Sequence, residues 1–585
     1  MCGVAGVFLK NNKIINRKTL SSFSKSLLHR GPNAQTTFYD NNVSLVHTRL
    51  SIVDLVGGDQ PLTNDQGHTI VVNGEIYNHI ELRKNWQNSY CFKTNSDSEV
   101  ILASYLLSKD LKSTMSNLRG MYAFACYDSK KEIMFLSRDP FGIKPLYYIE
   151  DNRGVVFSSE IKTFLDSGWC SRTPDYKSIV EILQLRYGTK NVTIVANVKR
   201  LLPGQTLILY KGKIINSFIT NALPKVLSSY QKKTDVLERL KKSLIDSINV
   251  HLRSDVPYGL FLSGGLDSAA ILSLISKKKL KPIKTFTVSF EKYNTYDERL
   301  VAKKLSTYFG TEHEEINLSE KDFWGLLPEV IECMDDLIFD PAMIPTFKMA
   351  KIASRNLKVI LCGEGSDELF AGYRRYQKVG WPISVGGRFM RIKGVFDGSI
   401  IFNKFYEDLW RSSLLNKFMS MNFFSYTKLQ CLQSIDMGTW LPNNLLIKLD
   451  RCLMSNSLEG RAPFLDPFVV RNSYVLSDKF KVNYYWGKWI LRLLVEKEFT
   501  FLQPFIKKKG FRVPMENWIL KYKKQLSNIL PYHESFKYLC NTLNLKNYLQ
   551  YASKKQAVGV WSLFVYYLWY QRYIKGQTLS DQPFE

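Results

Sequence analysis

The run Gly259-Leu260-Phe261-Leu262 passes directly into Ser263-Gly264-Gly265-Leu266-Asp267-Ser268 and then into an Ala/Leu-rich stretch, Ser268 to Ser276. An apolar strand that turns on two glycines into a helix opens a βα unit. Such units pack around a parallel sheet covered on both faces. Thr285 to Phe290 and Val359-Ile360-Leu361 read as further buried strands, and Leu237 to Val250 as an amphipathic helix. The later part of the chain is therefore expected to be a doubly wound parallel α/β fold. From about residue 375 the pattern turns helical and aromatic, and Val558 to Tyr570, too short to span a membrane, reads as a buried helix. Residues 1 to about 210 differ. Short runs such as Val43-Ser44-Leu45-Val46, Ile70-Val71-Val72, Tyr122-Ala123-Phe124-Ala125 and Val155-Val156-Phe157 are broken by turn signals, which predicts packed antiparallel sheets with flanking helices. Two domains are expected, 1–210 and 211–585, with Asn221 to Lys233 as a polar connector.

The Ser263 to Ser268 turn predicts an anion site. Glycines allow close backbone approach, and the helix start offers free N–H groups and positive potential. Ser263 and Ser268 add hydroxyls. Asp267 repels phosphate unless Mg²⁺ bridges the two. The loop is similar to that of pyrophosphate-releasing ATP enzymes and is not a Walker loop, because no Gly-Lys-Ser/Thr follows. Gly363-Glu364-Gly365-Ser366-Asp367-Glu368 ends another strand, so the two loops should face each other across the crevice at the strand ends. Asp367 is the expected second metal carboxylate, and Glu364 the expected proton-transfer group or orienter of an amine.

At the other end stands Met1-Cys2-Gly3. If Met1 is removed, Cys2 carries a nucleophilic thiol and, on the same residue, an α-amine that can accept its proton.

The bulk composition narrows the rest. The net charge is +27, yet the lysines are dispersed in short runs and no nucleic-acid-binding signature accompanies them, so nucleic acid is not an expected partner. Nine cysteines without a CxxC pair or zinc spacing suggest reduced thiols in a cytoplasmic protein. No signal peptide and no membrane span is expected.

With these elements in place the chain resembles the glutamine-hydrolysing asparagine synthetase family from Met1 to about Trp569. The N-terminal part carries Arg30-Gly31-Pro32, His47 to Asp54, Gln60-Pro61, Asn73-Gly74-Glu75-Ile76-Tyr77-Asn78, Ser96-Asp97-Ser98-Glu99, Arg138 to Tyr148 and Ser158 to Lys162. The resemblance implies an α/β/β/α sandwich of the N-terminal-nucleophile type that hydrolyses glutamine. Cys2 would be its nucleophile, Asn73 and Gly74 its oxyanion hole, and Arg49, Glu75 and Asp97 its glutamine-binding residues. In the later part the family pattern falls on Leu260 and Val288 near the adenine. Ser263, Gly264, Gly265, Asp267, Ser268, Cys362 and Gly363 match the ATP loops, and Lys448 the polyphosphate contact. Leu458 to Asp466 and Lys507 to Phe511 match further signatures. ATP and Mg²⁺ are the implied cofactors, Mg²⁺ on Asp267 and Asp367. Glutamine, ATP and a carboxylate acceptor are the implied substrates, and a homodimer is among the assemblies left open.

The expected reaction moves glutamine-derived ammonia through an internal tunnel to an adenylated carboxylate, aspartate first, with release of AMP and pyrophosphate. Three positions depart from the family pattern. Asn33 replaces an aspartate, and Cys362 replaces a nucleotide-contacting serine. Asp340-Pro341-Ala342-Met343-Ile344-Pro345-Thr346 lacks the arginine expected in the aspartate pocket. That segment looks more like relatives found with surface-polysaccharide genes, so the alternative acceptor is a sugar acid.

Overall fold

The computed structural model describes residues 2–10, 15–224, 231–277, 282–291, 298–379, 393–406, 410–412, 414, 416, 425–498, 504–505, 513–580 and 584. The Lys507 to Phe511 signature lies outside them.

Two six-stranded antiparallel sheets build the N-terminal part. The first has the order β10 (Lys199–Arg200), β8 (Tyr147–Glu150), β9 (Gly154–Ser158), β1 (Gly3–Leu9), β3 (Val43–Arg49), β2 (Ala34–Asp40). The second has the order β12 (Lys213–Ile219), β11 (Gln205–Tyr210), β7 (Ile133–Arg138), β6 (Gly120–Asp128), β5 (His68–Ile76), β4 (Leu62–Thr63). Strand β1 explains the layering. Successive side chains point to opposite faces, and every residue of β1 is buried. Val4 and Phe8 join Val71, Ala125 and Leu207 between the sheets. Ala5, Val7 and Leu9 meet Leu20, Phe23 and Leu27 of the helix Arg17–Leu27. On the far side Ile70 and Val72 meet Val100 and Leu102 of the helix Glu99–Leu107. Helix, sheet, sheet, helix is the expected sandwich. Strand β12 lies beyond residue 210 and still pairs with β11.

The third sheet is parallel throughout, with the order β15 (Glu312–Leu318), β14 (Lys284–Phe290), β13 (Tyr258–Phe261), β16 (Val359–Leu361), β17 (Glu459–Arg461). The direction of chain progress reverses between β13 and β16, and a crevice opens at their carboxyl ends. Apolar clusters cover both faces. Strands β15 and β17 were not expected. The first reads Glu312-His313-Glu314-Glu315 on an exposed edge, and the second is three residues with a charge at each end.

The two parts meet over charges removed from water. Arg30 Nη1 lies 2.8 Å from both Glu160 and Asp450, and Arg30 Nη2 reaches Asp450 at 3.1 Å. Arg451 Nε holds Asp335 at 2.7 Å, and its Nη1 lies 3.3 Å from Asp450. All of these side chains are at most 2% exposed. The late helix Ala557–Trp569 fixes the approach to this seam: the Trp561 and Trp569 indoles donate to the Phe339 and Asp335 carbonyls.

Removing Asp450 leaves Arg30 with Glu160 and takes a counter-charge from Arg451, all out of water. Asp450→Ala should cost about 3–5 kcal/mol of stability, seen as a lower urea midpoint. Arg30 holds the Asp450 carboxyl below the ordinary range against the effect of burial. The contribution is therefore complete above about pH 4, the unfolded value, and is lost as pH falls through the lowered folded value. The gap between the two proteins should narrow in acid.

Candidate functional site

Two clusters of chemistry-bearing side chains emerge, and one pair of strands touches both. The first surrounds Cys2, which is buried immediately before β1. Gly3 follows it because a Cβ there would stand 2.5 Å from Thr48 Oγ1 and 2.8 Å from Leu27 Cβ. The Cys2 backbone N–H donates to Asn73 Oδ1 at 3.3 Å, and its carbonyl accepts from Arg30 Nε at 3.2 Å. Burial pushes the Cys2 thiol up, while the Leu50 amide and the Arg49 charge pull it back. Asn73 is fully buried, and its Nδ2 has no partner among the described residues. A buried amide donor left unmade is costly unless something else accepts from it. Beside it Gly74 leaves no room for a Cβ, which would run into the Met121 carbonyl.

Glu75 and Asp97 are buried in the same place. Burial and their mutual repulsion raise Glu75 far above an ordinary carboxylate, and burial raises Asp97 despite the Ile76 N–H donating to it at 2.7 Å. Two carboxyls in this state are completed by a cation. Arg49 is placed differently from expectation. Its guanidinium already holds Asp59 at 2.6 Å and donates to the Asp54 carbonyl, with Gly58 packed against it. Asp59 is a half-exposed loop carboxylate, so it sits where an incoming carboxylate would bind. Sequence reasoning passed over Asp59.

It also passed over the wall of this cluster. Arg461 of β17 lies 3.8 Å from Glu75 and 2.5 Å from Glu459. Glu459 bears electrostatically on Cys2, Glu75 and Asp97.

The second cluster occupies the β13/β16 crevice. Gly264 takes φ +67°, and Ser263 Oγ and Ser268 Oγ stand 3.3 Å apart across the turn. The helix Leu266–Ser276 starts at Gly265 with no side-chain cap, which leaves its first N–H groups for an anion. Leu260 and Val288 are buried in β13 and β14. Cys362 is buried after β16, with Gly363 and Glu364 following it. The two loops do face each other, since Ser366 Oγ donates to Asp267 Oδ1 at 2.7 Å.

Asp267 and Asp367 converge on one point, and a lysine is already there. Lys488 Nζ lies 2.6 Å from Asp267 and 2.8 Å from Asp367. Lys488 has φ +56° and is buried, and a Cβ on Gly372 would collide with Asp367 and Lys488 together. The convergence of two carboxylates on a cation suits a divalent ion, whose other ligands would be phosphate oxygens and water. No cluster of three metal-ligating side chains occurs among the described residues. Lys448, expected to face polyphosphate, pairs instead with Asp340 at 2.9 Å. Burial raises Glu364, and the nearby Lys448 charge opposes this. A separate cavity of ≈ 670 Å³ on the seam, lined by His29, Lys162, Glu332 and Arg572 among others, holds none of the expected site residues.

Comparison with known proteins gives two family matches: Asparagine synthase over residues 239–570 and Glutamine amidotransferase domain over residues 1–219. Asparagine synthetase [glutamine-hydrolyzing] 1 of Bacillus subtilis (strain 168) is 31% identical over 636 aligned positions, covering 100% of this chain and 99% of that protein. Asparagine synthetase B of Escherichia coli (strain K12) is 34% identical, covering 65% and 66%. Asparagine synthetase 3 of B. subtilis is 29% identical, covering 85% and 84%.

The Lys488 ammonium competes with any metal for the two carboxylates. Lys488→Met should bind Mn²⁺ about tenfold more tightly than the unaltered protein, because the unbalanced charges then attract the ion alone. Paramagnetic resonance of free Mn²⁺ reads this. Adding Asp367→Asn should cancel the gain.

Proposed function

The chain belongs to the glutamine-hydrolysing asparagine synthetase family, and on that footing we propose that it makes asparagine from aspartate, glutamine and ATP. The coarser statement, an ATP-dependent glutamine-hydrolysing ligase, follows from the family itself. Residues 1–210 are assigned the glutaminase activity, with β12 travelling with them, and residues 211–585 the synthetase activity.

One observation supports this reading above the others. Strand β17 walls the thiol cluster through Glu459 and Arg461, while its neighbour β16 leads into Cys362, Gly363 and Glu364 at the crevice. Two reaction centres built on one pair of strands suit a reactive product made at the first and consumed at the second.

At the first centre the Cys2 thiolate attacks the side-chain amide of glutamine. The orphaned Asn73 Nδ2 and the Gly74 N–H receive the developing oxyanion. The substrate ammonium completes Glu75 and Asp97, and its carboxylate displaces Asp59 from Arg49, in the fork geometry arginine favours. The Cys2 α-amine, free once Met1 is removed, takes the thiol proton and returns it to the leaving nitrogen. Collapse of the intermediate gives a thioester, which water then hydrolyses to glutamate, and ammonia, which travels inside the protein to the crevice. There the uncapped helix and the Ser263 to Ser268 loop hold ATP phosphates. Mg²⁺, when bound, would be held by Asp267 and Asp367 and would neutralise phosphate charge. The acceptor carboxylate attacks the α-phosphorus and pyrophosphate leaves. Ammonia then displaces AMP, and Glu364, poised by burial, takes a proton from the attacking amine. A second reading, amidation of a sugar acid, is favoured by the absence of arginine from Asp340 to Thr346.

Cys2→Ala should lower glutamine-dependent product formation by about a thousandfold or more, and leave synthesis from ammonium chloride within about twofold. In the wild type ATP should yield AMP and pyrophosphate. Formation of ADP and phosphate, or undiminished glutamine use by the variant, would sink the reading.

A further inference from the structure

We propose that Arg186 recognises a second anionic group on the carboxylate acceptor; the proposal rests on the ligase reading above and names a specificity residue for it. The first observation is backbone strain. The helix Tyr176–Leu185 ends on Arg186 in the left-handed region, φ 73° and ψ 10°, with its N–H on the Ile182 carbonyl. Glycine is the residue that accepts this position without penalty. A long charged side chain kept there points to a use for that side chain.

The second observation is an unmet donor. Arg186 is half-buried, and its Nε is shielded from solvent with no hydrogen-bond partner among the described residues. Arginine carries five donors and stays charged. Its charge bears on Asp340, but Lys448 already holds that carboxylate at 2.9 Å, and the buried Glu364 also lies within reach of the Lys448 charge. Arg186 is thus not the primary partner of Asp340.

The third observation is independent of both. Asn444 is fully buried, and neither amide atom has a partner among the described residues. It stands one turn before Lys448, in a π-helical stretch Leu441–Leu446 of the kind that often marks functional sites. Asn443 Nδ2 donates to the Gly188 carbonyl at 2.8 Å and so ties this stretch to the loop that follows Arg186. An arginine with an unmet Nε near Asp340, and a buried amide without partners one turn before Lys448, suit an oxyanion carried by a molecule whose other carboxylate is activated. The arginine missing from Asp340 to Thr346 is thus supplied by the N-terminal part of the chain.

The oxyanion could be the α-carboxylate of a dicarboxylic amino acid or the diphosphate of a nucleotide sugar acid. Pyrophosphate release with ATP, Mg²⁺ and ammonium chloride should be followed against L-aspartate, glucuronic acid and UDP-glucuronic acid. Arg186→Gly should raise the KM of the preferred acceptor at least tenfold, with kcat, the ATP KM and glutaminase activity within twofold. Arg186→Lys should recover part of the loss. The glycine variant should fold at least as stably, because the strain is gone, so loss of fold cannot mimic the effect. An unchanged acceptor KM, or preference in the wild type for glucuronic acid, which has no second anion, overturns the proposal. Should no acid release pyrophosphate, the ligase reading fails, and calorimetry with succinate decides on Arg186 alone. Binding at least tenfold weaker in Arg186→Gly supports it, and equal or undetectable binding overturns it.

Discussion

The contact between Arg30 and Asp450 is the constraint on which the rest of the structure depends. Each charge alone would be expensive to bury, and each is balanced partly within its own part, by Glu160 and Arg451, and partly across the seam. Glu160 and Asp335 extend the same logic, since Arg30 and Arg451 between them hold both. A seam of this kind has one satisfactory register. A shift of the two parts by a single residue spacing would leave several ions without counter-charges. The seam also lies beside the thiol cluster: Arg30 bonds the Cys2 carbonyl on one side and Asp450 on the other. The position of Cys2 is therefore set by the same residue that aligns the two parts.

The two clusters balance their charges differently. Burial and neighbouring negative charge hold Glu75 and Asp97 toward the neutral form, with Arg461 3.8 Å from Glu75. Lys488 supplies the crevice carboxylates with a cation, and Asp59 supplies Arg49 with an anion, which on the proposed reaction a metal and a substrate carboxylate would replace. Such internal substitutes keep buried charge balanced between binding events. Their cost is competition with the incoming group.

Much of this was legible in the sequence, for identifiable reasons. The strand-turn-helix at Ser263 to Ser268 announced the parallel sheet because glycine pairs at that junction have few other uses. The packed antiparallel sheets followed from the short apolar runs at Val43, Ile70, Tyr122 and Val155, which lie in β3, β5, β6 and β9. Leu237 to Val250 and Val558 to Tyr570 both lie in helices, as their patterns implied. Other features escaped notice. Glu459 to Arg461 fell inside a recognised signature but were not read as a strand, because β17 has no apolar run: Arg461 pairs with Glu459 within it and reaches Glu75 across the seam. Lys488 and Asp59 act on partners 221 and 10 positions away, and nothing near them in sequence marks that role. Arg186 drew no reading at all, because strain belongs to the folded backbone alone.

The helix Ala557–Trp569 carries a consequence for the order in which the molecule is assembled. Its two indoles clamp the backbone at Asp335 and Phe339, yet it is synthesised long after them. The N-terminal sandwich can form early, but Glu459 and Arg461, which wall the thiol cluster, arrive hundreds of residues later. The clamp that steadies the seam comes later still. A nascent chain thus holds an unfinished glutaminase throughout its synthesis. On the proposed reaction, the centre that releases ammonia would be completed only when the centre that consumes it is already in place.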